Sequence, residues 1–346
     1  MNNNIFILCR LLLAACCLLS VCAHTSAHFS LTAPVEAAIP EVQEAEKGQR
    51  SMDIVVARDG TGNFRNIQEA INSVRDFRPE GRVRIFVKNG LYKEKIIVPA
   101  NKTNISLVGE SVEKTIITWD DHAKIESMGT FKTYTILIQG DGFEAENITF
   151  ENNAEQLGQA VAVHIEADKV QFRNCRLLGN QDTLYTGKAG ARQYFADCYI
   201  EGTTDFIFGP STVWFENCTV HSKKNSFITA ASTPEDIAYG YVFNRCTLTA
   251  EEGIDKVYLG RPWRAHAAVV FMYCDVGAHI LPEAWENWRN PENEKTARFS
   301  EYRNTGLGAN TSDRVSWSRQ LSDKEAIAYT ITKVFACSDE WLPDII

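Results

Sequence analysis

Apolar residues along this chain come in short runs, rich in Val, Ile, Phe and Thr and closed off by Asn, Asp, Gly or Ser, with few stretches of helical spacing. Runs of this kind read as strands. The clearest helical stretch is "NIQEAINSV" (66–74), where Ile67, Ala70, Ile71 and Val74 share one face and Asn66 and Glu69 stand where a capping box would place them. Directly after it, "RVRIFVKNGLYKEKIIVP" (82–99) reads as two strands around an Asn-Gly turn.

The strand-like runs repeat. Five tetrapeptides, "FRNC", "FADC", "FENC", "FNRC" and "FMYC", end in Cys175, Cys198, Cys218, Cys246 and Cys274, at intervals of 23, 20, 28 and 28 residues. Before them "AENITF" (145–150) is a related rung with Ile148 in the cysteine place. Self-similarity at this period, carried by short strands, is the mark of a solenoid. The expected fold is therefore all-β, a single-stranded parallel β-helix of the right-handed kind, with the 66–74 helix capping its open N-terminal end. In such a coil, equivalent positions stack about 4.8 Å apart, so Phe and Cys are expected to form inward columns.

Residues 5–23 are an apolar run broken only by Arg10 and Ser20, followed by small-residue sites at Val21-Cys22-Ala23 and Thr25-Ser26-Ala27. That is the pattern of a secretory signal peptide, so residues 1–37 are expected to be a leader, 38–51 a polar spacer and 52–346 the folded domain. A membrane anchor, or lipidation at Cys16 in "LAAC", stays open as an alternative. Export to the periplasm or the medium is the expected destination. It also sets the redox context of the six cysteines beyond the leader, Cys337 included, which would ordinarily suggest disulfides. Their place in the repeat points instead to free, buried thiols, with bridges between adjacent coils as the alternative.

Composition changes this picture little. The chain has 346 residues, a net charge of −9, 45% hydrophobic and 23% charged residues, ordinary values for a globular protein. The acidic balance and the lack of a basic run argue against nucleic acid, or a membrane beyond a lipid anchor, as partner.

The repeat also supplies a register for chemistry. Asp182 in "GNQDTLY" lies seven residues after Cys175, and Asp205 in "GTTDFIFG" lies seven after Cys198. Stacked coils would bring the two carboxyls together, although Asp205 stands among Phe206, Ile207 and Phe208 in a run that reads as strand. Two such carboxyls titrate as a coupled pair, one ionised and one protonated, which is a nucleophile beside a general acid. Gln181 and Asp182 are sequence neighbours, so both reach one site only if the backbone turns or bulges near Gly179 and Asn180.

Four segments, "GQAVA" (158–162), "GNQDTLY" (179–185), "GTTDFIFG" (202–209) and "LGRPW" (259–263), resemble in order and spacing the pectin methylesterases, carbohydrate esterases that demethylate pectin. "GTGNFRNIQEAI" (60–71) and "YRNTGLGANTSDRVSW" (302–317) extend the likeness over nearly all of the chain after residue 52. The resemblance implies Asp205 as nucleophile, Asp182 as general acid and base, Gln159 and Gln181 as oxyanion donors, and Arg261 as the cation that orients Asp205. It also implies Trp263, Tyr185, Phe206, Phe208 and Trp285 as aromatic contacts to methyl-esterified homogalacturonan. No cofactor or metal is expected, and His164, His221, His266 and "DDH" (120–122) show no metal-ligand spacing. A monomer is expected. The spacer leaves no room for the helical inhibitor-like region of many plant members, which points to a bacterial exported form.

Competing readings are a backbone-cleaving β-helix enzyme, of the polygalacturonase or pectate lyase type, and a non-catalytic carbohydrate-binding β-helix. The first needs no amide pair for a carbonyl oxyanion. The second predicts that both aspartates are dispensable. No Gly-x-Ser-x-Gly segment is present for a serine esterase.

Overall fold

Each Phe-x-x-Cys segment is the end of one strand, a one-residue corner and the entry to the next strand. The corner residues Asn174, Asp197, Asn217, Arg245 and Tyr273 have φ of 44°, 53°, 52°, 54° and 55°, and Asn147 in the preceding rung has 57°. Asn and Asp enter this left-handed region at lower cost than other side chains. They also ladder between coils: the Asn174 amide donates to Asn147 Oδ1 (2.7 Å) and that of Asn217 to Asp197 Oδ1 (2.5 Å). The cysteine after each corner turns inward. All five are buried and free, whereas Cys337 is exposed.

A computed structural model describes residues 53–78 and 81–344. The proposed leader (1–37) and spacer (38–51) lie outside the described residues. Within them the strands form three sheets, of eleven, eight and seven strands, in which every pairing is parallel. One turn runs Arg192–Ala196, Tyr199–Gly202, Ile207–Gly209, each strand in a different sheet, before Thr212–Glu216 opens the next turn beside Arg192–Ala196. This is a right-handed parallel β-helix.

Its interior is a continuous apolar column. Phe172, Phe195, Phe215, Phe243 and Phe271 stack with ring centroids 4.9, 5.1, 4.4 and 4.3 Å apart, the last two pairs within 6° of parallel. Full burial of each such ring contributes about 1.5–3 kcal/mol, so repetition of one favourable contact is what the period encodes.

Two local expectations are corrected. Residues 82–99 form three strands, Val83–Val87, Gly90–Lys93 and Ile96–Val98, one in each sheet, rather than two about a hairpin turn. Neither Asn89 nor Gly90 has the positive φ of a type I′ turn, and each strand finds its parallel partner one coil on. The capping helix is Ile67–Ser73 and buries Ile67, Ala70 and Ile71, but Asn66 makes no side-chain cap. The Glu94 carboxylate instead accepts from Ile67 N and Gln68 N, both 3.1 Å, because helix docking brings it to the exposed amides.

The C-terminal part adds short helices, Asp323–Ala326 and Ile331–Val334, that the repeat did not announce. Ala326, Val334 and Phe335 cover Tyr194, Trp214, Val242 and Val270 on the outer face of the eleven-stranded sheet. The outer face of the seven-stranded sheet stays open to hold the site.

Candidate active site

The chain passes from the eight-stranded to the seven-stranded sheet through a second corner, and there the two aspartates sit. Asp182 (φ 67°) and Asp205 (φ 50°) both adopt the left-handed conformation. Leu184 pairs with Ile207 and Tyr185 with Phe208, so the aspartates, each two residues before a paired position, occupy the same corner of consecutive coils. The Asp182 amide donates to Thr204 O (3.1 Å) and the Asp205 amide to Phe227 O (2.8 Å), tying each corner to the next coil. Asp205 thus lies in a bend rather than in the strand its neighbours suggest, and Gln181 and Asp182 share a turn, which frees them from strand alternation.

Space for the corner comes from Gly202. A methyl group there would lie 2.2 Å from Phe206 Cβ and 2.6 Å from Asn180 O, so a larger residue would displace the backbone that carries both aspartates.

Asp182 and Asp205 are 8% and 6% exposed, at the floor of a cleft of about 260 Å³ that Gln159, Gln181, Arg261 and Trp263 also line. Arg261 holds Asp205 by two hydrogen bonds, Nε to Oδ1 (3.0 Å) and Nη2 to Oδ2 (2.7 Å). Arg261 stands in register with Ala230 and, through it, with Phe208. The methyl side chain of Ala230 leaves the room through which the arginine reaches back toward Asp205.

Electrostatics separate the two acids. Burial pushes the Asp205 carboxyl above the ordinary carboxylate range, and its hydrogen bonds and charge attraction with Arg261 bring it only part of the way back. Asp182 lacks the bidentate partner. Burial first, and then the Asp205 charge, push it well above the ordinary range. Asp205 therefore ionises first while Asp182 keeps its proton. The side-chain amides of Gln159 and Gln181 line the cleft and have no protein hydrogen-bond partner among the described residues.

The aromatic expectations divide. Phe131, Tyr185, Phe208 and Trp263 form a row with successive centroids 4.9, 4.9 and 5.9 Å apart, of which Phe131, Phe208 and Trp263 line the cleft and Tyr185 packs beside them. Phe206 and Trp285, in contrast, are 0% and 1% exposed and belong to the interior. The left-handed corner at Asp205 breaks strand alternation, so Phe206 turns inward although Phe208, two residues on, faces out. Trp285 stacks on Phe299 at 4.4 Å. Its place at the cleft is taken by Trp288, three residues later.

Sequence reading also missed Thr130 and Phe131, on the short turn Thr130–Lys132 above the cleft, and Phe227 beside Arg261. Thr130 and Phe131 lie outside the repeated strands, and Phe227, at the start of the strand Phe227–Ala231, belongs to no motif that would have singled it out. His164, His221 and His266 pair separately with Glu166, Thr249 and Glu235. Among the described residues no group of three or more His, Cys, Asp or Glu gathers to hold a metal.

Comparison with known proteins places this geometry. The pectinesterase family matches residues 53–338. The chain belongs to the pectinesterase family. It is a carboxylic ester hydrolase, with the pectin methylesterase function of that family. Pectinesterase 31 of Arabidopsis thaliana is 45% identical over 285 residues, covering 78% of this chain and 88% of that protein. The probable pectinesterase/pectinesterase inhibitor 58 of the same plant is 36% identical over 314 residues, and the match spans 54% of its length. Among solved structures, pectin methylesterase from carrot superposes with a TM-score of 0.80 at 33% identity, covering 86% of this chain and 97% of that one. A pectin methylesterase solved in complex with a hexasaccharide gives 0.73 at 29% identity, covering 85% and 100%.

Proposed function

We propose that the enzyme hydrolyses the C6 methyl esters of homogalacturonan to pectate and methanol through an acyl-enzyme on Asp205. The observation that carries this reading is the unequal pair: Asp205 clamped by two hydrogen bonds from Arg261, one coil from an Asp182 that has no such partner.

A carboxylate needs no base to become a nucleophile, so Asp205 adds directly to the ester carbonyl carbon. The Gln159 and Gln181 amides donate to the oxyanion that forms. Each preorganised donor of this sort is worth about 3 kcal/mol of barrier. Collapse breaks the C6–OCH₃ bond, and Asp182 gives its proton to the departing methoxide, which is too basic to leave alone. Methanol diffuses away, and Asp205 and the uronate are joined as an anhydride. Asp182, now ionised, takes a proton from water as the water oxygen adds to the uronyl carbon. Breakdown of that adduct expels the Asp205 carboxylate and leaves the uronic acid, with Asp182 already holding the proton it took from water. Phe131 and Trp263, at the two ends of the aromatic row, offer faces to the C–H surfaces of the sugar rings.

The test is product analysis on highly methylated pectin. Methanol should appear with no new reducing ends and no unsaturated product absorbing in the ultraviolet. Chain cleavage without methanol would instead support a glycosidase or lyase, and no reaction would support a binding protein.

We propose also that the chain is exported under the direction of residues 1–37 and acts as a monomer. The composition of residues 5–23 supports export. Mass analysis of the mature N-terminus from the medium and periplasm would test it, since retention of residues 1–37 contradicts cleavage.

A further inference from the structure

Arg261 is enclosed on both faces by aromatic rings. Its guanidinium carbon lies 3.9 Å from the centroid of Phe227 and 3.8 Å from that of Trp288. The Nε and Nη2 edge left between the rings is the edge that bonds Asp205. Both rings are themselves anchored. Phe227 stacks on Tyr258 at 5.2 Å and 18°, and its carbonyl accepts the Asp205 amide. Trp288 sits in a left-handed turn (φ 60°) whose amides, Trp288 N and Arg289 N, donate to the Glu286 carboxylate at 2.9 and 3.0 Å. The Glu286 amide in turn donates to Gly260 O, next to Arg261 (3.2 Å).

We propose that Phe227 and Trp288 are positioning residues, which hold the Arg261 guanidinium in the plane of the Asp205 carboxylate and so keep the nucleophile ionised and aimed. The proposal rests on Asp205 being that nucleophile. A guanidinium on a long side chain has many rotamers, and two ring faces remove those that would tilt its fork out of the carboxylate plane. The charged groups that act on Asp205 are Arg261, Glu286 and the neighbouring Asp182. Glu286 matters most if the rings are lost, because it is an alternative anion for a loosened arginine. Arg261 lowers the Asp205 pKa and Glu286 raises it, so loosening the arginine moves the nucleophile's ionisation to higher pH.

Phe227 gives the cleaner test because, unlike Trp288, it is not part of the cleft wall. In Phe227→Leu, which keeps an apolar side chain without a ring face, kcat should fall about tenfold with KM within about twofold. The acidic limb of the kcat/KM profile should shift to higher pH, and Phe227→Tyr should restore both. If Phe227→Leu does not fold, Trp288→Leu carries the same test through the acidic limb, with Trp288→Phe as its rescue. An unmoved acidic limb, or a loss shared equally by Phe227→Tyr with a lower Tm, overturns the proposal. Asp205→Asn measured alongside separates the two levels. Near-normal turnover in it removes the nucleophile assignment itself, whereas an inactive Asp205→Asn with an unmoved limb in Phe227→Leu removes only the sandwich.

Discussion

Asp182 and Asp205 occupy the same left-handed corner of consecutive coils, and only Asp205 has an arginine clamped to its carboxylate. That single asymmetry assigns different chemistry to two residues of the same type. It also has a thermodynamic cost that can be measured.

Asp182 has its pKa raised well above the ordinary value by folding. The folded state therefore binds a proton more tightly than the unfolded state, and stability falls as pH climbs from the unfolded carboxylate range toward the folded pKa. Asp182→Asn should remove this penalty and raise Tm at neutral pH, with the gain vanishing below about pH 4. Its kcat should fall by about 10²–10⁴ for loss of the general acid. Thermal melts across pH, paired with methanol release, check both, and a neutral-pH Tm at or below that of the wild type would contradict the assigned shift.

Gln159→Ala and Gln181→Ala should each lower kcat by about 10²–10³ with little change in KM, since an oxyanion donor acts on the transition state rather than on the bound ester. Steady-state kinetics on methylated oligogalacturonides measure this. A rise in KM alone would make the two amides ground-state contacts.

Interior and cleft aromatics should separate cleanly. Phe206→Ala, at a fully buried ring, should destabilise the fold by about 3–5 kcal/mol in denaturant titration. Trp263→Ala should leave stability within about 0.5 kcal/mol while raising KM for the polymer. The opposite pattern would place the substrate against the wrong face of the seven-stranded sheet.

The coil itself was legible because it repeats: five Phe-x-x-Cys segments and the matching spacing of Asp182 and Asp205 already carry the stacking. What the repeat could not show is where the backbone leaves strand alternation. A left-handed corner at Asp205 sends Phe206 inward, and the turn at Gln181 and Asp182 delivers both side chains to one cleft. Trp285 and Trp288 lie in a connection with no period, so "PEAWENW" offered no means of choosing between them. Arg261 was readable from its motif, whereas Phe227 and Trp288 meet around it only through the pairing of Phe227 with Tyr258 and the turn held by Glu286. Non-local contacts of that kind leave no trace in spacing.

The central claim is that Asp205 attacks the ester. Methanol release by Asp205→Asn, compared with wild type at the same pH and with the fold confirmed by circular dichroism, tests it most directly. A loss of at least about 10³-fold in kcat with a native spectrum is expected. Turnover within about tenfold of wild type in the folded variant would contradict it.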